Sequence, residues 1–398
     1  MEQLLQKSDR KINSISTEIT RYLYDQINHK NRITIIKGAR GVGKTTLLLQ
    51  YARKLSQSEK NLLYVSLDDL FFQKNSLYEL ADEFVKNNGF LLLLDEVHKY
   101  PNWSRELKLI YDDFPELNLI VTSSSILEIY KSEADLSRRA ISYTLKELSF
   151  REFLIFERGL TFEPLKLTDL ITNHKEISLE IATKIKPLYE FKKFTQKGGM
   201  YPFYWEGDDN YYDKLSQIIN LILEVDLTSI ESLEYNHIVK LKRLLFAIST
   251  SPPFTPNILK LSERIGMSRQ ALIKALHYLE RARLIIMLNR RGKGTSILSK
   301  PDKIFLNNPN IYFSMISDTI EIGSVRESFL VNQLFGLYPV ELPEYGDFYV
   351  DNKYTLELGG KNKTQAQIQN IPDSYVVRDN IENGSGNIIP LWMFGFLY

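Results

Sequence analysis

The sequence predicts an α/β fold with a parallel sheet for residues 1–155, and three observations support this prediction. A β-branched run, Arg32–Ile36, leads into a glycine-rich segment, and Thr45–Lys54 has a helical pattern. The uninterrupted apolar run Phe90–Leu94 has the composition of a strand that is buried on both faces. Further strand patterns, Asn61–Leu67 and Leu117–Val121, alternate with helical segments, as is typical of parallel sheets.

Composition limits the function classes. The chain has 398 residues, enough for two or three domains, because one core rarely exceeds about 250–300 residues. Its formal net charge is +1, so affinity for nucleic acid would have to come from a local patch. The absence of cysteine excludes disulfides, thiol nucleophiles and cysteine-ligated metals, and the five histidines have no metal-ligand spacing.

The sequence also favours one compartment. Met1–Arg10 is polar and charged and lacks the apolar core of a signal peptide. The longest apolar runs are shorter than the ~20 residues that cross a bilayer. We therefore expect a cytoplasmic protein with no membrane partner.

Residues 38–46 complete a P-loop, whose pattern is Gly, four free positions, then Gly-Lys-Ser/Thr. Its glycines allow backbone amides to wrap a phosphate chain, and the N-terminus of the following helix favours an anion. Lys44 is expected on the β- and γ-phosphates, and the Thr45 hydroxyl on Mg²⁺. The predicted nucleotide-binding residues are Gly38, Ala39, Arg40, Gly41, Val42, Gly43, Lys44, Thr45 and Thr46.

Two carboxylates follow the apolar strand. We expect Asp95 to hold Mg²⁺ and Glu96 to polarise the attacking water. Paired acids after a strand can instead cap a helix, but the upstream P-loop favours the catalytic role. The Asp-Glu pair is typical of ATPases with a glutamate base, and the sequence has no Asn-Lys-x-Asp motif for guanine.

Polar residues also end the strand pattern Leu117–Val121. We expect Ser123 to contact the γ-phosphate or the water, the role called sensor 1, with Thr122 as the rival. A serine of the same run is expected to cap a helix over Ile126–Tyr130.

Arg138 and Arg139 precede a strand-like segment, Ile141–Leu145. Either arginine could be an arginine finger that supplies charge to the γ-phosphate bound by a neighbouring subunit. The alternative is a pair of surface side chains.

Several of these segments together resemble one family. They are the P-loop, the Leu-Asp-Glu-Val-His-Lys-Tyr-Pro-Asn-Trp stretch at 94–103, the Thr-Ser-Ser-Ser run, and Leu-Ser-Arg-Arg-Ala followed by Leu-Ser-Phe-Arg-Glu-Phe. The chain is similar to AAA-superfamily ATP-binding proteins of bacteria and archaea, which are related to archaeal and STAND-type ATPases. The resemblance implies ATP or ADP as the nucleotide, a homo-oligomer or partner protein, and a finger at Arg138 or, in the usual place, Arg139.

The resemblance also implies three modules: an AAA domain, a winged helix and a C-terminal domain related to restriction endonucleases. We predict a P-loop ATPase domain at 1–155, a helical lid or linker at 156–234, a winged helix at 235–318, and a small, degenerate α/β endonuclease-like domain at 319–398. Helical patterns over Thr255–Ile265 and Arg269–Arg283, joined by Gly266-Met267-Ser268, form a helix-turn-helix signature. A basic tip, Asn289–Gly294, separates strand patterns at Leu284–Leu288 and Thr295–Leu298.

Residues 257–300 are strongly basic, with ten Lys and Arg against two Asp and Glu. This charge could contact the phosphates of duplex DNA, whereas the alternative is a hinge or a partner surface. The candidate contacts are Arg269, Lys274 and Arg281 on the second helix and Arg290, Arg291 and Lys293 at the basic tip.

An endonuclease-like domain would need an Asp on one strand and Asp/Glu-x-Lys on the next. The candidate carboxylates are Glu327, Asp347 and Glu357, but Gly359 stands where the lysine is required. Lys361 and Lys363 follow too late, and Lys361 is the substitute that we consider. We therefore predict a degenerate domain used for binding or assembly.

Taken together, these features predict a Mg²⁺-dependent ATPase that is slow until a partner or oligomer supplies an arginine. Its nucleotide state would be coupled to the winged helix and the C-terminal module. The alternatives are a nucleotide-gated DNA-binding switch with little turnover and, less favoured, a metal-dependent DNA nuclease.

Overall fold

The computed structural model describes the chain except for residues 29, 58–60, 125–135, 137, 207–209, 228–234, 252, 254, 293–299 and 317–319. It divides into two compact units: a first unit of residues 1–147 and a second unit of residues 148–398. Of the helices in the described ranges, none is both long enough and apolar enough to span a membrane.

The first unit is built on a five-stranded parallel sheet with the order β2-β3-β4-β1-β5. The predicted α/β fold with a parallel sheet is therefore confirmed. The strands are β1 (Ile33–Lys37), β2 (Leu62–Ser66), β3 (Leu91–Asp95), β4 (Asn118–Ser123) and β5 (Ala140–Thr144). The helices are α1 (Glu2–Ser14), α2 (Lys44–Ser56), α3 (Leu77–Lys86) and α4 (Trp103–Asp113), with 3₁₀ turns at Tyr24–Gln26, Leu70–Gln73 and Val97–Lys99.

The strand order brings the carboxyl ends of β1, β3 and β4 together. β4 lies between β1 and β3, so its carboxyl end is adjacent to both the P-loop and the Asp95-Glu96 pair. β3 is buried along its whole length, which explains its uninterrupted leucines. β4 extends through Thr122 and Ser123, two residues further than its sequence pattern predicts.

The N-terminal helix protects the edge of this sheet. The Ser8 hydroxyl of α1 accepts a hydrogen bond of 3.0 Å from the backbone N–H of Tyr64 in the edge strand β2. A side chain that satisfies an edge-strand amide removes a site for unwanted strand pairing. α1 therefore fixes the position of Tyr64, which enters the site described below.

The second unit contains helices, a two-stranded sheet and a five-stranded sheet. Its helices are α5 (Phe150–Arg158), α6 (Leu167–Lys184), α7 (Pro187–Gln196), α8 (Tyr211–Leu221), α9 (Tyr235–Ser249), α10 (Ile258–Ile265), α11 (Arg269–Arg281), α12 (Pro309–Met315) and α13 (Ile322–Leu334). Its strands are β6 (Ile285–Leu288), β7 (Lys303–Leu306), β8 (Val340–Glu341), β9 (Phe348–Val350), β10 (Tyr354–Gly359), β11 (Ser374–Arg378) and β12 (Ile388–Pro390). A π-helical turn lies at Ile222–Asp226, and 3₁₀ turns lie at Pro202–Glu206 and Leu391–Phe396.

α10 and α11 form the predicted pair of helices around a short turn. Gly266 ends α10 with φ 72°, a conformation that favours glycine, and Ser268 caps α11 by accepting from the Ala271 amide. The following strand β6 pairs antiparallel with β7. The predicted second strand, Thr295–Leu298, lies outside the described residues, and the assignment of a winged helix remains a prediction.

The larger sheet of the second unit has the order β12-β11-β10-β9-β8. β10, β11 and β12 are mutually parallel, whereas β8, β9 and β10 are antiparallel. Continuing the β9–β10 register by one pair sets Asp347 opposite Glu357. The fold thus brings two of the predicted carboxylates together.

Candidate functional site

Glycines in the P-loop are required by its geometry. Gly41 and Gly43 have φ of 84° and 94°, values that side chains with a Cβ disfavour. A Cβ on Gly38 would lie 2.4 Å from the carbonyl oxygen of Leu145. The loop can therefore keep this shape only with glycine at these three positions.

The loop offers charge and amides to a phosphate chain. The buried Lys44 ammonium donates to the carbonyl oxygens of Gly38 and Ala39, both at 2.9 Å. α2 begins at Lys44, and the first amides of a helix have no partner within that helix. A lysine and a helix N-terminus at one loop form a site suited to polyphosphate.

Asp95 is the centre of a hydroxyl network. Its Oδ2 accepts from the hydroxyls of Thr45 at 2.8 Å and Tyr64 at 2.9 Å, and its Oδ1 accepts from the Thr122 hydroxyl. Asp95 is only 3% exposed. Burial raises the pKa of the Tyr64 phenol, so this group remains a donor.

The Thr45–Asp95 pair fits Mg²⁺. This ion prefers oxygen ligands and usually takes only one or two protein carboxylates beside water and substrate phosphates. In the described part of the chain, no cluster of three or more His, Cys, Asp and Glu side chains could hold a metal ion. Mg²⁺ that is bound together with phosphates does not need such a cluster. Thr45 and Asp95 are therefore the residues that could hold the ion.

Glu96 directly follows β3 in a strained conformation. Its φ is 53°, which is uncommon for a residue other than glycine, and its amide donates to the Thr122 hydroxyl at 3.2 Å. Its Oε1 accepts from the Ser124 hydroxyl at 2.8 Å, and its Oε2 lies 3.3 Å from His98 Nε2. Burial raises the pKa of this carboxyl, as expected for a general base in a shielded site.

His98 is a neutral neighbour of Glu96. Burial, followed by the charges of Lys99, Arg40 and Lys44, lowers the pKa of His98 to about 3. Its Nδ1 lies 3.3 Å from the Ser123 hydroxyl. His98 is therefore a close neutral neighbour of Glu96, but the two facing atoms do not form a hydrogen bond.

The network around Glu96 contains residues that the sequence analysis missed. Ser124, rather than Ser123 or Thr122, makes the carboxylate contact, while Thr122 contacts Asp95. No sequence motif marked Tyr64 or His98 as a site residue, because their contacts depend on the order of the strands in the sheet. Alternation along an extended β4 could have indicated that Thr122 and Ser124 share one face.

The two predicted finger residues lie just before β5. Arg139 forms a forked ion pair with Asp112, with Nε and Nη2 each 3.1 Å from a carboxylate oxygen. Its side chain is 26% exposed. Arg138 is exposed and precedes it in a turn.

Five of the six predicted DNA-contact residues are described; Arg281 is partly buried, and the other four are exposed. Arg269 and Lys274 lie on α11, and Arg290 and Arg291 follow β6. The Arg291 guanidinium lies 4.2 Å from the centre of the Tyr349 ring. Lys293 lies outside the described residues.

A carboxylate–lysine pair lies on the larger sheet of the second unit. Glu357 is fully buried, and its Oε1 is 2.5 Å from the Lys363 ammonium. Asp347 Oδ2 accepts from the Leu358 amide at 2.7 Å. Lys361 was the expected substitute for the missing lysine, but Lys363 is the residue that contacts Glu357.

Gly359 makes this contact possible. A Cβ at position 359 would lie 2.7 Å from the Lys363 side chain. The glycine that interrupts the Glu-x-Lys pattern thus leaves the space through which Lys363 returns to Glu357. The lysine that the sequence motif lacks at position 359 is thus replaced by Lys363, which lies next to Glu357 in the fold.

Comparison with known proteins bears on the first unit, which contains the P-loop. Residues 30–154 match the family model described as an AAA domain. An uncharacterized protein of Methanocaldococcus jannaschii is 27% identical over 329 residues, covering 77% of this chain and 68% of the relative. An uncharacterized protein of Haemophilus influenzae is 24% identical over 291 residues, covering 69% and 67%.

Solved structures align more remotely. A Walker-type ATPase of Pyrococcus abyssi aligns at 13% identity and a TM-score of 0.41, over 78% of this chain and 95% of its own. AMPPCP-bound DnaA of Aquifex aeolicus aligns at 19% identity and a TM-score of 0.25, over 65% and 84%. The family-model match and the P-loop geometry therefore agree: residues 30–154 form a P-loop domain that is similar to AAA domains.

Proposed function

We propose that this protein is a Mg²⁺-dependent ATPase in which Glu96 is the general base. The observation that carries the proposal is the position of Glu96: it is partly buried, follows the Mg²⁺-compatible Asp95, and belongs to a network that includes the P-loop residue Thr45. A carboxylate with a raised pKa in such a place is suited to accept a proton from water.

Each residue of the site has one role in this proposal. Lys44 exchanges its bonds with the loop carbonyls for bonds with the β- and γ-phosphates of ATP. Thr45 and Asp95 would hold Mg²⁺, which when bound neutralises phosphate charge. Glu96 orients the attacking water and accepts its proton, while Ser124 positions the carboxylate.

Glu96→Gln should abolish turnover while preserving nucleotide binding. The amide has nearly the shape of the carboxylate but cannot act as a base, so we expect hydrolysis to fall by about 10²–10⁴-fold. Phosphate release measures turnover, and a fluorescent ATP analogue measures affinity. Glu83→Gln, at an exposed position of α3, is the matched control. Undiminished hydrolysis by Glu96→Gln under all activating conditions would contradict the proposal.

We further propose that hydrolysis requires an arginine from a neighbouring subunit, with Arg139 favoured over Arg138. Support comes from the position of Arg139 just before β5, and its ion pair with Asp112 would have to open before it reaches a neighbouring subunit. A finger of this kind contributes about 10³–10⁵-fold to the rate of P-loop enzymes. The activity should therefore rise with protein concentration.

Mixing two inactive variants tests this arrangement. Arg139→Ala retains Glu96, and Glu96→Gln retains the arginine, so a mixed oligomer contains some complete sites. We expect each variant alone to be inactive and the mixture to recover hydrolysis, with Arg138→Ala as the matched neighbour. A mixture no more active than the sum of its parts would exclude a finger supplied in trans.

A second candidate function is a nucleotide-gated switch that binds duplex DNA. The observation in its favour is the exposed pair Arg269 and Lys274 on the second helix of the helix-turn-helix segment. In this proposal ATP binding in the first unit would change the availability of α11. Duplex affinity should fall steeply with salt and on neutralisation of both residues.

A third candidate function, a metal-dependent nuclease, gains support from the Glu357–Lys363 contact. Asp347 and Glu357 would hold the metal ion, and Lys363 would assist the water. Plasmid nicking in Mg²⁺ or Mn²⁺ tests it. We expect Lys363→Met to abolish nicking and Lys361→Met, two residues away and exposed, to retain it. Equal nicking by both variants and the parent would remove this candidate.

A further inference from the structure

A cleft of about 690 Å³ in the second unit has a lining that ATP hydrolysis does not use. One wall is the segment Arg290–Gly292 after β6. The other is formed by β9 and the turns that flank it, with Tyr345, Tyr349 and Lys353 among the lining residues. We call it the cation–aromatic cleft.

Backbone hydrogen bonds hold the two walls together. The Arg291 amide donates to the Leu342 carbonyl at 3.0 Å, and the Leu342 amide donates to the Asn289 carbonyl at 3.0 Å. The Arg290 amide donates to the Asp302 carboxylate at 3.0 Å. Because these hydrogen bonds connect the two walls, the fold holds both sides of the cleft in place.

Three exposed cations line the cleft: Arg290, Arg291 and Lys353. Arg291 lies over the Tyr349 ring at 4.2 Å, a cation–π contact that fixes where its charge points. Tyr345 is 60% exposed, although a tyrosine ring gains free energy when it is covered. The cleft thus holds the Arg291 charge against Tyr349, near the exposed ring of Tyr345.

This combination discriminates among ligands. Cations track a phosphate backbone, and exposed aromatic rings stack with unpaired bases, which is how single strands are bound without sequence preference. The bases of a duplex are stacked on one another and offer no free face to Tyr345. Glu344 and Asp373 also line the cleft, where carboxylates can accept hydrogen bonds from exocyclic amino groups of bases.

We propose that the cation–aromatic cleft binds single-stranded nucleic acid. Tyr345 stacks on a base, and Arg290, Arg291 and Lys353 contact the phosphates. The inference is independent of ATP hydrolysis, because every residue of the cleft belongs to the second unit. It also differs from the duplex-binding candidate, which requires Arg269 and Lys274 of α11 and gives no role to Tyr345.

Fluorescence anisotropy of the full-length protein tests the proposal. The probes are a labelled 20-nucleotide strand of mixed sequence and the corresponding duplex, each at low and moderate salt. We expect the strand to bind more tightly than the duplex. Tyr345→Ser should weaken strand binding by about 5- to 100-fold, whereas Tyr345→Phe, which keeps the stacking face, should retain it.

Two further variants separate charge from folding. Arg290→Gln with Arg291→Gln should weaken strand binding and reduce its salt dependence. Tyr189→Ser is the matched control, because Tyr189 is 56% exposed on α7 and does not line the cleft. Melting temperatures close to that of the parent show that the variants are folded.

Four outcomes would overturn the proposal: no strand binding, strand binding unchanged in Tyr345→Ser, tighter binding of the duplex, or equal competition by polyglutamate. Duplex binding that depends on Arg269 and Lys274 would favour the DNA-switch candidate instead. Loss of ATPase activity in Glu96→Gln without loss of strand binding would leave this inference intact, so the two proposals fail separately.

Discussion

The Asp95 carboxylate is the interaction on which the nucleotide site depends. It accepts hydroxyl hydrogen bonds from α2, β2 and β4, the elements that carry Thr45, Tyr64 and Thr122. A carboxylate that is 3% exposed must be fully partnered, so these three hydroxyls fix the end of β3 relative to the P-loop helix. Glu96, the next residue, is then held in a strained conformation where Ser124 can orient it and His98 lies beside it. Replacing any of the three hydroxyls would disturb both the proposed Mg²⁺ ligand and the proposed base.

Local patterns predicted most of this site, and long-range contacts account for the rest. The P-loop and the Asp-Glu pair are contiguous motifs whose chemistry can be recognised without knowing the strand order. Tyr64, His98 and Ser124 enter the site only because β4 lies between β1 and β3, which no short pattern specifies. The C-terminal sheet shows the same limit, since Lys363 reaches Glu357 by a return of the chain past Gly359. The residues of a site must be close in space, but they need not be close in the sequence.

The second unit distributes its cations over distinct chemical settings. Arg269 and Lys274 are exposed on α11, where the Lys274 ammonium lies 5.5 Å from the centre of the Tyr278 ring. Arg290 and Arg291 were grouped with them by sequence, but the structure sets these residues beside Tyr345 and Tyr349 in one cleft. Lys363 instead compensates a buried carboxylate. The sequence showed only that residues 257–300 are basic. The fold shows that Arg290 and Arg291 line a cleft with aromatic rings, whereas Arg269 and Lys274 lie on α11.

The central claim of the proposed function is that the first unit binds Mg²⁺ and ATP through Lys44 and Thr45 of the P-loop and Asp95 of β3. Calorimetric titration of ATP into the full-length protein, with and without Mg²⁺, tests it most directly. Lys44→Ala should reduce affinity by at least about tenfold, because it removes the charge expected on the β- and γ-phosphates. Lys54→Ala, at an exposed position of the same helix, should bind like the parent. Equal affinity of Lys44→Ala and Lys54→Ala would contradict the account.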